Sequence, residues 1–338
     1  MRITLTPYQL ELAHTFSISR ASHDFQDSLI VTLSHEGKSG YGEATANGYY
    51  QITSASMAKE IGLYKDLLEA HDFKTPELFY ELLNPLSLSN FSKCALDLAA
   101  WDLFGKLNNM PLYKFWNTNL QNLATTNYTI GIDSVEKMVA KMVEKPWPIY
   151  KVKLGTSQDI AIVKALRAKT NAVFRIDANC AWEADETISN ARILKDLGVE
   201  FIEQPLAADQ WEEMKKVFET SCLPLIADES CLVPEDVAKC VGHFHGINIK
   251  LTKCGGITPA LTMIKEAKAL GLKVMIGCMT ESSVGISAIG QLLPQLDYVD
   301  MDGALLLKKD IAKGIIIHED ASLTYPILGG SGIELLDI

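Results

Sequence analysis

The chain carries eight short apolar runs, each ending in a polar residue and each separated from the next by room for one helix. The runs end at Thr129, Lys153, Asp177, Glu203, Asp228, Lys250, Cys278 and Asp300, so successive ends lie 22 to 28 residues apart. Strand-like runs alternating with helical stretches at that interval predict parallel βαβ units, and eight of them predict a closed (β/α)8 barrel. In such a barrel the polar side chains at the C-terminal strand ends build the active site. The run ends are therefore the first place to look for chemistry.

A barrel of this kind takes roughly 250 residues, and the chain has 338, with the surplus lying mostly before Thr129. We expect an α+β capping domain over residues 1–118, completed by about 305–338, and a barrel over 119–304. Residues 1 to about 45 alternate like antiparallel strands, with Leu29 to Ser34 and Tyr41 to Glu43 flanking a turn-like segment. A helix is expected near Ser54 to Leu68, with Met57, Ile61, Tyr64 and Leu68 on one face. Thr75-Pro76-Glu77 has the form of a helix start. The strongest helix of this half runs from about Asn90 to Leu107 and is apolar enough to pack on the barrel. The chain should cross between domains near Pro111 to Leu123, and the glycine-rich tail around Gly329-Gly330 and Gly332 should return to the first domain.

Composition excludes more than it selects. A formal charge of −11 argues against a phosphate backbone as partner. No apolar run reaches membrane-spanning length, and Met1 to Pro7 lacks the hydrophobic segment of a signal peptide. Seven scattered cysteines without a Cys-x-x-Cys pair predict a reduced, cytoplasmic protein with no zinc knuckle. Nothing in the chain forbids a homo-oligomer.

Asp177, Glu203 and Asp228 end three successive runs. Three neighbouring carboxylates repel one another unless a cation lies between them, and an all-oxygen ligand set selects a hard divalent ion, most simply Mg2+, with Mn2+ as its substitute. Solvated carboxylates at loop starts are the alternative, which serves better for one such residue than for three. Lys151 and Lys153 are two apart on the second run and so share a face, while Lys250 ends the sixth, diametrically opposite in an eight-stranded barrel. Burial and nearby positive charge both lower a lysine pKa, which would poise such amines as bases; simple ion pairing with the carboxylates is the other reading. Lys253 is the weaker candidate, beyond the strand and before Gly255-Gly256. Asp300 and Asp302 end the eighth run, across the mouth from the carboxylate cluster, and suit a cationic group at the far end of a substrate, with an ion pair to a barrel lysine as the alternative. Cys278 reads as a small wall residue. His243 and His245 precede the sixth run, at the wrong end of the barrel for a catalytic role.

These motifs resemble the enolase superfamily. Lys-Val-Lys-Leu-Gly at 151–155, Asp-Ala-Asn at 177–179, Glu-Gln-Pro at 203–205, Asp-Glu-Ser at 228–230 and Asn-Ile-Lys with Gly-Gly five residues after Lys250 carry the resemblance. Gly40-Tyr41-Gly42-Glu43-Ala44 and Ala100-Trp101-Asp102-Leu103 extend it to the family's capping domain. The lysine positions place the chain in the muconate-lactonising subgroup. Asp300-Met301-Asp302 and Gly-Cys-Met-Thr-Glu-Ser at 277–282 are similar to the dipeptide epimerases, including those acting on Ala-Glu. The resemblance implies that Lys153 and Lys250 are the acid/base pair and that Lys151 stabilises the intermediate. It further implies that Thr129, Cys278, Thr280, Asp300 and Asp302 line the substrate site. Arg20 lies near a family substrate-contacting arginine. The expected activity is inversion of the C-terminal α-carbon of a dipeptide. A cycloisomerase or o-succinylbenzoate synthase is the rival on the same fold, but it needs one proton-moving lysine, and its dianionic substrates would be repelled by Asp300 and Asp302. A metal-dependent binding protein without turnover is the rival from another class.

Overall fold

The structure is a computed structural model that describes residues 1–18 and 21–336. The chain opens with a three-stranded antiparallel sheet, β1 (Arg2–Ile18), β2 (Ala21–His35) and β3 (Lys38–Thr45), in that order. The β1–β2 register runs from Arg2 opposite Ser34 to Glu11 opposite Phe25, then shifts before Phe16. Five helices follow, α1 (Ser54–Leu63), α2 (Lys65–Glu69), α3 (Pro76–Leu83), α4 (Asn90–Leu107) and α5 (Leu112–Phe115).

The single helix expected from Ser54 to Leu68 is in fact two, broken at Tyr64, where ψ turns to 7°. Met57, Ile61 and Leu68 nonetheless all face the same core. Helix α3 starts as its sequence predicts: the Thr75 hydroxyl accepts from the Leu78 amide, and Pro76, which has no amide hydrogen to satisfy, occupies the first turn. Helix α4 is buried along 13 of its 18 residues, because one side packs on the N-terminal sheet and the other on the barrel. The sheet lies close on it. A Cβ at Gly42 would stand 2.0 Å from the Ala95 carbonyl oxygen, so the glycines of the Gly-Tyr-Gly segment are needed for backbone approach.

Eight parallel strands then form one sheet, in sequence order. They are β4 (Tyr128–Ile130), β5 (Ile149–Lys153), β6 (Val173–Asp177), β7 (Val199–Glu203), β8 (Leu225–Ala227), β9 (Gly246–Ile249), β10 (Lys273–Gly277) and β11 (Tyr298–Asp300). Between them run α6 (Val135–Glu144), α7 (Asp159–Arg167), α8 (Ala184–Asp196), α9 (Trp211–Thr220), the one-turn α10 (Pro234–Val237), the paired α11 (Leu251–Cys254) and α12 (Ile257–Ala269), and α13 (Ser283–Leu292). Among the described residues the first and last strands meet only through a parallel bridge between Thr126 and Val299, so the barrel is nearly rather than fully closed. The Met301 amide donates to the Thr126 hydroxyl at 3.0 Å and tightens that seam.

The eighth strand departs from the repeating pattern. It is followed by a 3-10 turn, Gly303–Leu306, instead of a helix. The tail then runs back along the N-terminal half, where the Leu112 amide donates to the Gly330 carbonyl and the Gly330 amide to that of Met110. Among the described residues no helix is long and apolar enough to cross a membrane.

Candidate active site

The chemistry gathers where the strands end. Asp177 and Glu203 are the last residues of β6 and β7, and Asp228 follows β8 by one residue. All three side chains are buried, and each offers an oxygen within 4.8 Å of the others. Lysines are threaded among them. The Lys151 ammonium lies 2.7 Å from Glu203 Oε2, 2.8 Å from Asp300 Oδ2 and 3.2 Å from Asp177 Oδ2. Lys153 donates to Asp177 Oδ2 at 2.6 Å, and Lys250 stands 3.0 Å from Asp228 Oδ2. Lys153 on β5 and Lys250 just after β9 thus approach from opposite sides of the barrel.

The electrostatics set the three acids apart. Burial pushes the Glu203 carboxyl up to about 7, with Asp177 adding to the effect and Lys151 opposing it. For Asp177 and Asp228 burial also works upward, but the lysines outweigh it and hold both below the usual carboxylate range. One acid of three is therefore left without full compensation. The residues fit a divalent cation: the donors are all oxygen, they converge, and burial leaves their charge unscreened by water. The expected lowering of the lysine pKa is not found at Lys151 or Lys250. Burial does pull Lys250 down, yet Asp228 outweighs it and raises the ammonium above its ordinary value, and Lys151 is raised by Asp300 and Glu203 in the same way. A cation on the triad would compete for that negative charge and weaken its hold on the amines.

Across the mouth, the two strand-8 acids are not equivalent. Asp300 has both oxygens engaged, one by Lys151 and the other by Asn127 Nδ2 at 2.7 Å. Asp302 takes the Thr129 amide at 2.5 Å and the Thr129 hydroxyl at 3.2 Å, and no cation lies within ion-pair distance of it among the described residues. Burial and neighbouring Asp300 push the Asp302 carboxyl up to about 7. Thr129 therefore holds Asp302 as well as lining the cavity.

The strand β10 ends at Gly277, one residue before the expected end at Cys278, so Cys278 and Thr280 lie on the loop that follows; both still line the cavity. The Cys278 sulfur is 4.0 Å from Asp302 Oδ1. Burial, reinforced by Asp300 and Asp302, pushes its thiol up, which keeps it protonated and suits a wall rather than a ligand. His245 sits at the far end of the barrel, where its Nδ1 accepts from the Leu225 amide. Arg20 lies outside the described residues.

Two side chains to which the sequence had given no role support the triad, a third holds Asp300, and one that the sequence had ranked as the weaker candidate joins them. Asn248 donates to Glu203 Oε1 at 2.8 Å; its position two residues before Lys250 was the available signal, since alternate residues of a strand share a face. The Gln204 side-chain oxygen accepts from the Asp228 and Ser230 amides, and its nitrogen donates to Ser230 Oγ and the Leu206 carbonyl. Gln204 pays for that position with a φ of +37°. Asn127 holds Asp300, as described. Lys253 turns back from the loop and donates to both the side chain and the main-chain carbonyl of Asp228.

The mouth opens into a cavity of about 650 Å³ whose other wall comes from the N-terminal half, including Phe16, Phe25, Tyr49, Tyr50 and Ile52. The lysines and carboxylates at the strand ends and a cover from the first 53 residues thus enclose one space.

Comparison with known proteins matches both halves. Residues 2–116 match the mandelate racemase/muconate lactonizing enzyme N-terminal domain, and residues 134–337 match the enolase C-terminal domain-like family. An L-Ala-D/L-amino acid epimerase from Maribacter sp. is 66% identical over 99% of each chain. The dipeptide epimerase of Enterococcus faecalis, solved with Mg and the dipeptide L-Leu-L-Tyr, superposes with a TM-score of 0.92 at 31% identity, covering 98% of both chains. The L-Ala-D/L-Glu epimerase of Bacillus subtilis, solved with a bound substrate, gives a TM-score of 0.93 at 27% identity over 98% of each. Two lysines from opposite strands, a buried carboxylate triad between them and matches over both halves lead to one conclusion: the chain belongs to the mandelate racemase/muconate lactonizing enzyme family of the enolase superfamily.

Proposed function

We propose that this protein is a dipeptide epimerase that inverts the α-carbon of the C-terminal residue by proton transfer between two lysines. The observation that carries the reading is the opposition of Lys153 and Lys250 across a carboxylate triad, with Asp302 across the mouth on the far side. The relatives' names agree with it.

Bound by Asp177, Glu203 and Asp228, Mg2+, or Mn2+ in its place, would supply Lewis-acid polarisation of the substrate carboxylate beside the α-carbon. Lys153 takes the α-proton from one face. Lys250, kept as an ammonium by Asp228, returns a proton to the other. The enediolate formed between these events carries extra negative charge, and Lys151 meets it as a permanent ammonium because Asp300 and Glu203 raise its pKa. That same rise makes Lys151 a stabiliser rather than a base. A cytoplasmic setting is part of this reading, because seven scattered cysteines without a Cys-x-x-Cys pair suit a reducing compartment.

Substrate length follows from charge placement. A free amino acid carries its ammonium one carbon from its carboxylate, which leaves it short of Asp302, beyond the Asp300 that Lys151 already occupies. One further residue adds roughly 3.3–3.6 Å of extended chain and brings a terminal ammonium towards Asp302. N-acetylation of a good dipeptide substrate should therefore lower kcat/KM by about a hundredfold, the cost of leaving a buried charged partner unmet. Steady-state kinetics on the free and acetylated forms checks this. If acetylation left kcat/KM within a factor of about two, the ammonium role of the strand-8 acids would be lost.

A further inference from the structure

We infer that helix α4 of the N-terminal half is a brace for the catalytic turn after β9, with Asn90 and Asp97 as positioning residues for Lys250. The inference rests on the two-lysine reading and adds to it residues that touch neither substrate nor triad.

Lys250 is the first residue of a tight turn. Its carbonyl accepts from the amides of Lys253 and Cys254, and the Leu251 carbonyl accepts from those of Gly255 and Gly256. A turn closed this way moves as one piece, so anchoring its far side orients the lysine at its start. Helix α4 provides both anchors. At its first turn, Asn90 Nδ2 donates to the Lys253 carbonyl at 2.8 Å. Two turns on, Asp97 Oδ2 accepts from the Thr258 amide at 2.9 Å and Oδ1 from the Thr258 hydroxyl at 2.7 Å. One turn further, Trp101 Nε1 donates to that hydroxyl oxygen at 2.9 Å. Asp97 thus accepts from the first turn of α12 where Gly256, the residue before that helix, has no side chain to do so.

The two glycines make the contact possible. Gly255 has φ +103° and Gly256 has φ +121°, and a Cβ on them would lie 2.5 Å from the Tyr80 hydroxyl and 2.4 Å from Asp97 Oδ2. Backbone, helix α3 and helix α4 therefore meet with no room between them. Lys253 completes the path, since the residue whose carbonyl Asn90 holds also grips Asp228 with its ammonium. Displacing this turn would shift Lys250 relative to the substrate while leaving Lys153, on the opposite strand, where it is.

That asymmetry sets the test. Asn90→Ala, Asp97→Asn and the wild-type enzyme are incubated in D2O with each stereoisomer of a dipeptide. The readout is α-deuterium in recovered, uninverted substrate relative to inverted product. Lys250→Ala identifies the stereoisomer deprotonated by Lys153. For that stereoisomer, the ratio of exchange to inversion should rise about fivefold in each brace variant, the effect of losing one hydrogen bond of ordinary strength. For the other stereoisomer it should not rise. Equal loss of both processes for both stereoisomers, as general destabilisation would give, overturns the brace, and so do unchanged ratios. Asn90 is only partly buried at the start of its helix, whereas Asp97 is fully buried, so its variant keeps the question answerable if Asp97→Asn folds poorly. Absence of any exchange by the wild-type enzyme would overturn the two-lysine reading itself, and the brace with it.

Discussion

Lys250→Ala is expected to abolish inversion while still exchanging the α-proton of one dipeptide stereoisomer with solvent, and Lys153→Ala is expected to do the same for the opposite stereoisomer. Each lysine lies on its own side of the triad, Lys153 on Asp177 and Lys250 on Asp228, so neither can serve the face that belongs to the other. By family resemblance Lys250 serves the L configuration. Losing a positioned general base costs about 10²–10⁴-fold, and the missing acid on the return face adds its own loss, so net inversion should fall below detection. Proton NMR in D2O reads exchange, and chiral analysis of the hydrolysed C-terminal residue reads inversion. Normal inversion by either variant would remove that lysine from the pair.

The second large effect concerns the metal. Stripping divalent cations with EDTA should lower dipeptide turnover by about a thousandfold or more, since several kcal/mol of charge stabilisation are at stake, and Mg2+ should restore it. Calorimetric titration with Mg2+ gives an independent readout, and Glu203→Gln should weaken binding without unfolding the barrel. The same titration carries a pH signature. Binding needs Glu203 ionised, and burial together with Asp177 pushes its carboxyl up to about 7 in the absence of a cation. Affinity should therefore be near its full value at pH 8 and fall as pH drops through 7, reaching about a tenth at pH 6, with protons released on binding. Full activity after chelation, or an affinity flat between pH 6 and 8, would contradict the assignment.

The barrel was legible because its strands and helices follow different periods, and each apolar run stops at a residue that has to face solvent or chemistry. Asp177, Glu203 and Asp228 could be picked out for that reason: strand ends converge by geometry alone. The residues around them were harder to read. Lys253 looked too far along the chain, since only the hydrogen-bonded turn after β9 folds it back onto Asp228. The unequal state of Asp300 and Asp302 depends on Asn127 and Thr129, each 173 residues away in sequence, and on which one Lys151 reaches. Pattern within the eighth run says nothing about either partner. The spacing argument also ends at Asp300, because no later run sets an interval there, and the chain turns at Gly303–Leu306 and leaves the barrel.

Mass and position of label after the first turnover test the central claim most directly. In D2O the wild-type enzyme should give inverted dipeptide carrying one deuterium, on the α-carbon of the C-terminal residue and nowhere else, because the lysine that returns the proton exchanges with solvent before it does so. Inverted product without deuterium at that carbon, or with deuterium on the N-terminal residue, would contradict proton transfer between Lys153 and Lys250 at the C-terminal α-carbon.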